Sequence, residues 1–312
     1  MKNIAWLLLL PLFTQALIAE DLAEETDGAA GSGEIILQIS TLPELKLGFT
    51  ERFKFPFMRG DGPLTEDNNI GLALTAEISP ISLNGLAEAV WTPIAFFQLA
   101  AGGRIGSGWN LTLFGSEIHG IGLNRPDAAE RAVYDGQAFD GMLWKAQAGA
   151  ALQMDFAAFF PGDWNHRVIR SYHEINCKGY TRAEKGESWY FEDDDGENCN
   201  GANYYGNLLI GHQMPIFLNL FALLAEADLY LYDTPDRGAW GDDKIRWTFS
   251  AILNFSLTEK MSAALITQFR TRRNWRGSDW QDMYYRNRSL ESGRLQHLEF
   301  YRVAAALTYK LF

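Results

Sequence analysis

The closing stretch, Tyr301 to Phe312 (YRVAAALTYKLF), constrains this chain more than any other. Tyr301, Val303, Ala305, Leu307, Tyr309 and Leu311 alternate with Arg302, Ala304, Ala306, Thr308 and Lys310, and a period of two belongs to a β-strand with unlike faces. One face is apolar and the other small or polar. A soluble sheet buries its apolar face in a core, whereas this pattern suits a barrel wall with lipid on one side and a lumen on the other.

The same alternation recurs along the chain. In Leu45 to Phe57, Leu45, Leu47, Phe49, Phe53, Phe55 and Phe57 share one face, while Lys46, Gly48, Thr50, Arg52 and Lys54 share the other. Glu51 falls on the apolar face and breaks it. Further rows are Leu72 to Ile78, Phe97 to Ile105, Met142 to Phe156, Ile245 to Phe255 and Ala263 to Phe269. Phe217 to Tyr232 is apolar on both faces until Glu226 and Asp228 appear on one. Strands of this length match the tilted crossing of a bilayer, about 9–11 residues plus ends.

Breaks between rows are short (Thr92–Ala95, Ala158–Trp164, Met214–Ile216, Ser256–Lys260) or long (Arg59–Asn69, Trp109–Asp140, Arg182–Asn203, Asp233–Asp243, Arg273–Arg294). Alternating short turns and long loops predict an all-β, antiparallel, up-and-down transmembrane barrel of about ten strands, within a range of 8 to 12. The count turns on Ile70 to Trp91, which holds both Pro80 and the hairpin signal Asn84-Gly85; two real turns there would raise it to twelve. Trp91, Trp109, Trp144, Trp164, Trp247 and Trp275 fall near strand ends, as aromatic girdles require.

Ahead of the barrel, residues 1–19 read as a signal peptide: Lys2, an apolar core at Leu7 to Leu10, and small residues at Ala16 and Ala19. Residues 20–44 read as an N-terminal periplasmic segment, acidic at first, with 35–44 able to extend the first strand or plug the lumen. The barrel domain is 45–312. A formal net charge of −12 argues against nucleic acid, which needs a basic face. No cofactor motif is present.

With this strand pattern and a terminal Phe312, the chain resembles the outer-membrane β-barrel proteins of diderm bacteria, whose final strand ends in Phe as an assembly signal. It departs from them at Lys310, where a second aromatic is usual; Tyr309 lies one residue earlier. The resemblance covers residues 45 to 312. It implies an outer-membrane location with both termini periplasmic, contact with outer-membrane lipid, and recognition of Phe312 by barrel-assembly machinery. Gly186 to Trp189, Asp194 to Asn198 and Tyr230 to Pro235 are also similar to uncharacterised exported barrel proteins of spirochaetes.

Candidate lumen-lining residues are Arg52, Lys54, Arg104, Lys145, Asp155, Glu226, Asp228, Arg246, Arg270, Arg272 and Arg302. Two readings stay open. Ion pairs fill a narrow lumen, or the basic surplus lines a narrow channel for small polar or anionic solutes. A non-conducting surface-contact barrel with an extracellular partner is the alternative function. Cys177 and Cys199 are expected to form a disulfide in an exported chain, against two separate thiols.

Ser171 and His173 share one strand face and have the spacing of a nucleophile and its base. Outer-membrane phospholipases carry such a pair on the barrel exterior, in the order His then Ser, so a lipid hydrolase is a further alternative; no polar partner for His173 is apparent. The omptin proteases also have ten strands, but His119 and His212 lack the paired carboxylates that chemistry needs. The acidic run Glu192–Glu197 is either a solvated loop or a weak cation site.

Overall fold

The computed structural model describes residues 30–41, 44–113, 115–192, 197–231, 241, 243–277, 280, 282–291 and 296–312. The expected signal peptide, the acidic residues 20–29 and residues 193–196 lie outside the described residues. The chain forms β1 (Ala30–Ser40), β2 (Glu44–Pro56), β3 (Asn69–Ile78), β4 (Ser82–Ile94), β5 (Phe97–Gly108), β6 (Leu111–Leu113), β7 (Ser116–Ile118), β8 (Ile121–Pro126) and β9 (Ala132–Asp135). It continues with β10 (Leu143–Asp155), β11 (Arg167–Tyr180), β12 (Ser188–Phe191), β13 (Gly201–Gln213), β14 (Leu218–Tyr230), β15 (Arg246–Thr258), β16 (Met261–Arg273) and β17 (Gln296–Lys310).

Twelve of these close into an antiparallel barrel in the order β1-β17-β16-β15-β14-β13-β11-β10-β5-β4-β3-β2. The seam pairs Glu34 with Lys310 and Ser40 with Ala304, so the start of β1 and the end of β17 meet at one rim. Closure satisfies the backbone groups of both edge strands, which hydrocarbon requires of any spanning sheet.

The side chains are arranged inside out relative to a soluble protein. Outward residues such as Ile39, Leu47, Leu223 and Phe300 are 46–54% exposed, while inward Lys46, Arg302, Glu226 and Thr248 are at most 3% exposed. An apolar belt in contact with the surroundings and a polar, buried interior together identify a bilayer-spanning wall. Trp144, Trp164 and Trp247 stand exposed near strand ends, as girdle residues do. Trp275 does not; it is buried with Tyr230 and Tyr285 under a loop.

Twelve strands, the top of the expected range, arise from two corrections. Residues 30–40, expected ahead of the barrel, form β1, because Ile35, Leu37 and Ile39 face outward while Glu34 and Gln38 face inward. Ile70 to Trp91 divides at residues 79–81, where Pro80 has no N–H to give a ladder and Ser79 Oγ meets Ser82 Oγ at 2.8 Å. Asn84-Gly85 is not a turn; it lies inside β4, opposite Glu77 and Ala76.

The two added strands change the side of one expected long loop and leave the other four opposite the termini. The connection at 57–68 lies at the rim of the termini, and the tight turn at 79–81 lies at the opposite rim with the connections β5–β10, β11–β13, β14–β15 and β16–β17. In β17 a bulge opposite Gln268 and Phe269 makes Tyr301 the extra residue, so Tyr301 and Arg302 both turn inward and only the row from Val303 keeps its expected face.

Candidate functional site: the lumen and its cap

The far rim is uneven. On the β1–β4 side its connections are tight turns, whereas the neighbouring side carries the long loops. Three of those loops fold together over the low side as a cap. Strands β12, β8 and β9 form its sheet. Ile121, Leu123, Trp189 and Phe191 from the sheet pack on Leu143 and Tyr180 at the barrel rim, giving the cap a core of its own. The β16–β17 loop joins through backbone bonds from Ala132 N–H to the Asp282 carbonyl (3.0 Å) and from Tyr284 N–H to the Glu130 carbonyl (2.9 Å).

At the end of β12, Glu192 drives into the lumen. Its carboxylate accepts from Lys46 Nζ at 2.9 Å, Ser82 Oγ at 2.7 Å and Asn84 Nδ2 at 3.2 Å, and lies 3.5 Å from a terminal guanidinium nitrogen of Arg104. Glu192 reaches this position in a left-handed conformation, with φ of 54°. Arg104 also covers the Phe191 ring, 5.0 Å from its centroid. Burial alone would push the Glu192 carboxyl up, but the charges of Lys46 and Arg104, with hydrogen bonds from Lys46 and Ser82, hold it at about 2.

Most of the expected lumen-lining residues meet charged or hydrogen-bonding partners. Arg52 donates to Glu34 at 2.6 Å, Lys145 to Glu174 at 2.7 Å and Arg270 to Glu299 at 3.2 Å. Arg272 reaches the other Glu299 oxygen at 3.3 Å and stacks on Trp280. Arg302 donates to Gln268 at 2.6 Å and pairs with Glu44. Glu226 is fully buried and accepts from Tyr205 at 2.8 Å, and Asp228 lies directly across from Arg246. Lys54 sits half-buried near the rim of the termini. Asp155 is different: it accepts from Ala157 N–H at 3.0 Å and pairs with His166 at 2.6 Å, holding the β10–β11 connection rather than lining the lumen.

Arg246 and Arg273 converge on Glu197 at 3.3 and 3.4 Å, under the cap. Burial opposes the Glu197 charge, but Arg273, Arg246 and Arg288 together hold its carboxyl below the ordinary range. Nearer the rim of the termini the interior turns apolar, where Leu209, Leu220, Ala222, Leu224 and Ile252 form one buried cluster. That cluster explains why the first part of the stretch from Phe217, up to Glu226, is apolar on both faces.

Two expectations change. Cys177 and Cys199 are not bonded: alternation turns Cys177 outward on β11, while Cys199 is buried inside with Tyr230, Trp275 and Tyr285. Glu192, read in the acidic run as a solvated or cation-binding residue, is the cap's anchor. Among the described residues no three His, Cys, Asp or Glu side chains converge as metal ligands. Phe312 closes the seam: its carbonyl accepts from Gly33 N–H at 3.3 Å, and its ring lies where a Cβ on Gly33 would be 2.9 Å away.

The exterior carries a hydrogen-bonded polar group in the apolar belt. Ser171 Oγ lies 3.0 Å from His173 Nε2, and His173 Nδ1 lies 2.7 Å from the Tyr204 hydroxyl. Tyr204 escaped the sequence reading because only the β11–β13 register brings it beside His173.

No protein-family model and no curated protein matches the chain. Solved structures similar to it are outer-membrane barrels. The β domain of the Bordetella autotransporter BrkA is 9% identical, with a TM-score of 0.43 over 91% of this chain and 99% of that one. The KdgM porin is 9% identical, with a TM-score of 0.36 over 91% and 100%. OmpT, an outer membrane protein of Vibrio cholerae, is 5% identical, with a TM-score of 0.32 over 92% and 99%. At these values the likeness carries no residue role and no activity to this chain. The barrel stands on its own register and on its inside-out side chains.

Proposed function

We propose that the chain is an integral outer-membrane β-barrel whose resting form does not conduct, and whose cap is a surface for contact with an extracellular partner. In this reading the signal peptide is removed, both termini are periplasmic, and Phe312 is read by the assembly machinery before the seam closes. The observation that carries it is Glu192: a loop carboxylate that neutralises Lys46 and Arg104 from inside the lumen keeps the cap seated on the wall. The buried ion pairs and the apolar cluster below it support the same closed state.

The test is planar-bilayer conductance of the refolded protein, once a heat-shift gel has established a folded barrel. The expected result is a silent barrel. Steady stepwise current from the unaltered protein overturns the reading.

A narrow channel for small polar or anionic solutes is the second reading, and one observation favours it. Withdrawing Glu192 would leave Lys46, Arg104, Ser82 and Asn84 facing the same space, a cationic and hydrogen-bonding wall suited to anions. Anion-selective steps that appear only in Glu192→Ala would establish it.

A further inference from the structure

We infer that Ser171, His173 and Tyr204 form an esterase site on the lipid-facing wall, acting on the acyl esters of glycerophospholipids in the surrounding leaflet. Three hydrogen-bonding side chains in an apolar belt are costly in hydrocarbon, and Leu or Val would serve the wall better. Ile169, Ile175 and Leu208, which border the group, are such residues.

The geometry is that of an activated nucleophile: Ser171 Oγ within reach of His173 Nε2 at 3.0 Å, and His173 Nδ1 held by Tyr204 at 2.7 Å. An Nδ1–H donating to the Tyr204 oxygen leaves Nε2 free to accept the serine proton. Gly206 keeps the group open, because a Cβ there would lie 2.5 Å from the Tyr204 hydroxyl and 3.2 Å from His173 Nδ1. Arg167 heads the same outward row as Ser171, at the rim of the termini, and makes no side-chain hydrogen bond or ion pair among the described residues. Its charge is placed to hold a lipid phosphate while the ester lies deeper, towards Ser171.

In the first half of the reaction Ser171 Oγ attacks the ester carbonyl as its proton passes to His173 Nε2. The adduct collapses, the bond from the acyl carbon to the glycerol oxygen breaks, and Nε2–H protonates the leaving lysolipid alkoxide. Water, deprotonated by His173 Nε2, then attacks the acyl carbon; the bond to Ser171 Oγ breaks, a fatty acid leaves, and Nε2–H returns its proton to Ser171 Oγ. Ser171 and His173 are catalytic residues in this scheme, and Tyr204 is a positioning residue.

The site stands apart from the lumen, so conductance results do not bear on it. The test uses full-length protein refolded into vesicles of phosphatidylethanolamine and phosphatidylglycerol, with fatty-acid release as the readout. A fluorophosphonate probe on the same sample reports the nucleophile directly by peptide mass. The unaltered barrel is expected to release fatty acid and to be labelled at Ser171. Ser171→Ala should lose both, by about 10³-fold or more in rate, while keeping its heat-shifted gel band. Tyr204→Phe should lower kcat roughly 10- to 100-fold at unchanged KM, which a purely structural role for the hydroxyl would not produce. Arg167→Ala should raise KM with kcat unchanged. A folded, unaltered barrel that neither releases fatty acid above protein-free vesicles nor takes the probe at Ser171 overturns the proposal. So does equal release from Ser171→Ala.

Discussion

Lys46 and Glu192, 146 positions apart in the chain, meet at 2.9 Å inside the barrel with side chains 4% and 5% exposed. One comes from the wall and the other from the tip of a cap strand, so this contact ties loop to lumen. Two buried cations, Lys46 and Arg104, meet at that carboxylate.

Replacing Glu192 by Gln keeps the shape and removes the charge. Breaking a buried pair from one side costs about 3–5 kcal/mol, and the loss should fall on the cap rather than on the twelve-stranded wall. Proteolysis of the loops is the measurement: Glu192→Gln should be cut between β11 and β13 while the heat-shifted band persists.

The same carboxylate sets an acid limit. Its folded value of about 2 lies below the ordinary 4.5, with burial opposing and Lys46 and Arg104 prevailing. A depressed folded pKa contributes stability that is fully present above about 4.5 and is lost as pH falls towards 2. Loop proteolysis after brief acid exposure should therefore rise between those values in the unaltered protein, and should be flat in Glu192→Gln.

Arg302 and Glu44 join β17 to the start of β2 across the seam strand, both nearly inaccessible. Arg302→Leu alone should lower stability by about 3–5 kcal/mol, since Glu44 is left unpaired. Adding Glu44→Gln should recover part of the loss. Urea unfolding of the single and double variants measures the coupling.

The cysteines give a direct chemical check. Reducing and non-reducing gels of the folded protein should coincide. A membrane-soluble maleimide should modify Cys177 in the folded barrel and reach Cys199 only after unfolding. A shifted non-reducing band would restore the disulfide.

Gly33 should tolerate no side chain without moving the terminal ring, because a Cβ would meet Phe312 at 2.9 Å. Gly33→Val is expected to slow formation of the heat-shifted band. Phe312→Ala, which removes the ring but keeps the backbone bonds, should relieve that effect in the double variant.

Much of the wall was legible because each strand announces itself. Leu45 to Phe57 and Leu143 to Asp155 need only a period of two to assign every outward and inward residue, and lipid enforces that period along the whole crossing. Strand number was less legible. Residues 30–40 are short of large aromatics and follow an acidic stretch, and Pro80 and Asn84-Gly85 offer rival turns that only pairing with Ile78 and Gly108 resolves.

The bulge at Tyr301 was invisible for the same reason, since a local pattern does not contain the partner strand that forces one residue out of register. The sequence by itself determined that this chain makes amphipathic strands, which residues of most strands face lipid, and that the interior is charged. Which charges meet was decided only by closure: Arg302 with Glu44, Lys46 with Glu192, and His173 with Tyr204 are set by shear, register and loop folding. Alternation is a property of one strand, whereas a pair within about 3 Å belongs to two elements whose relative placement no single stretch encodes.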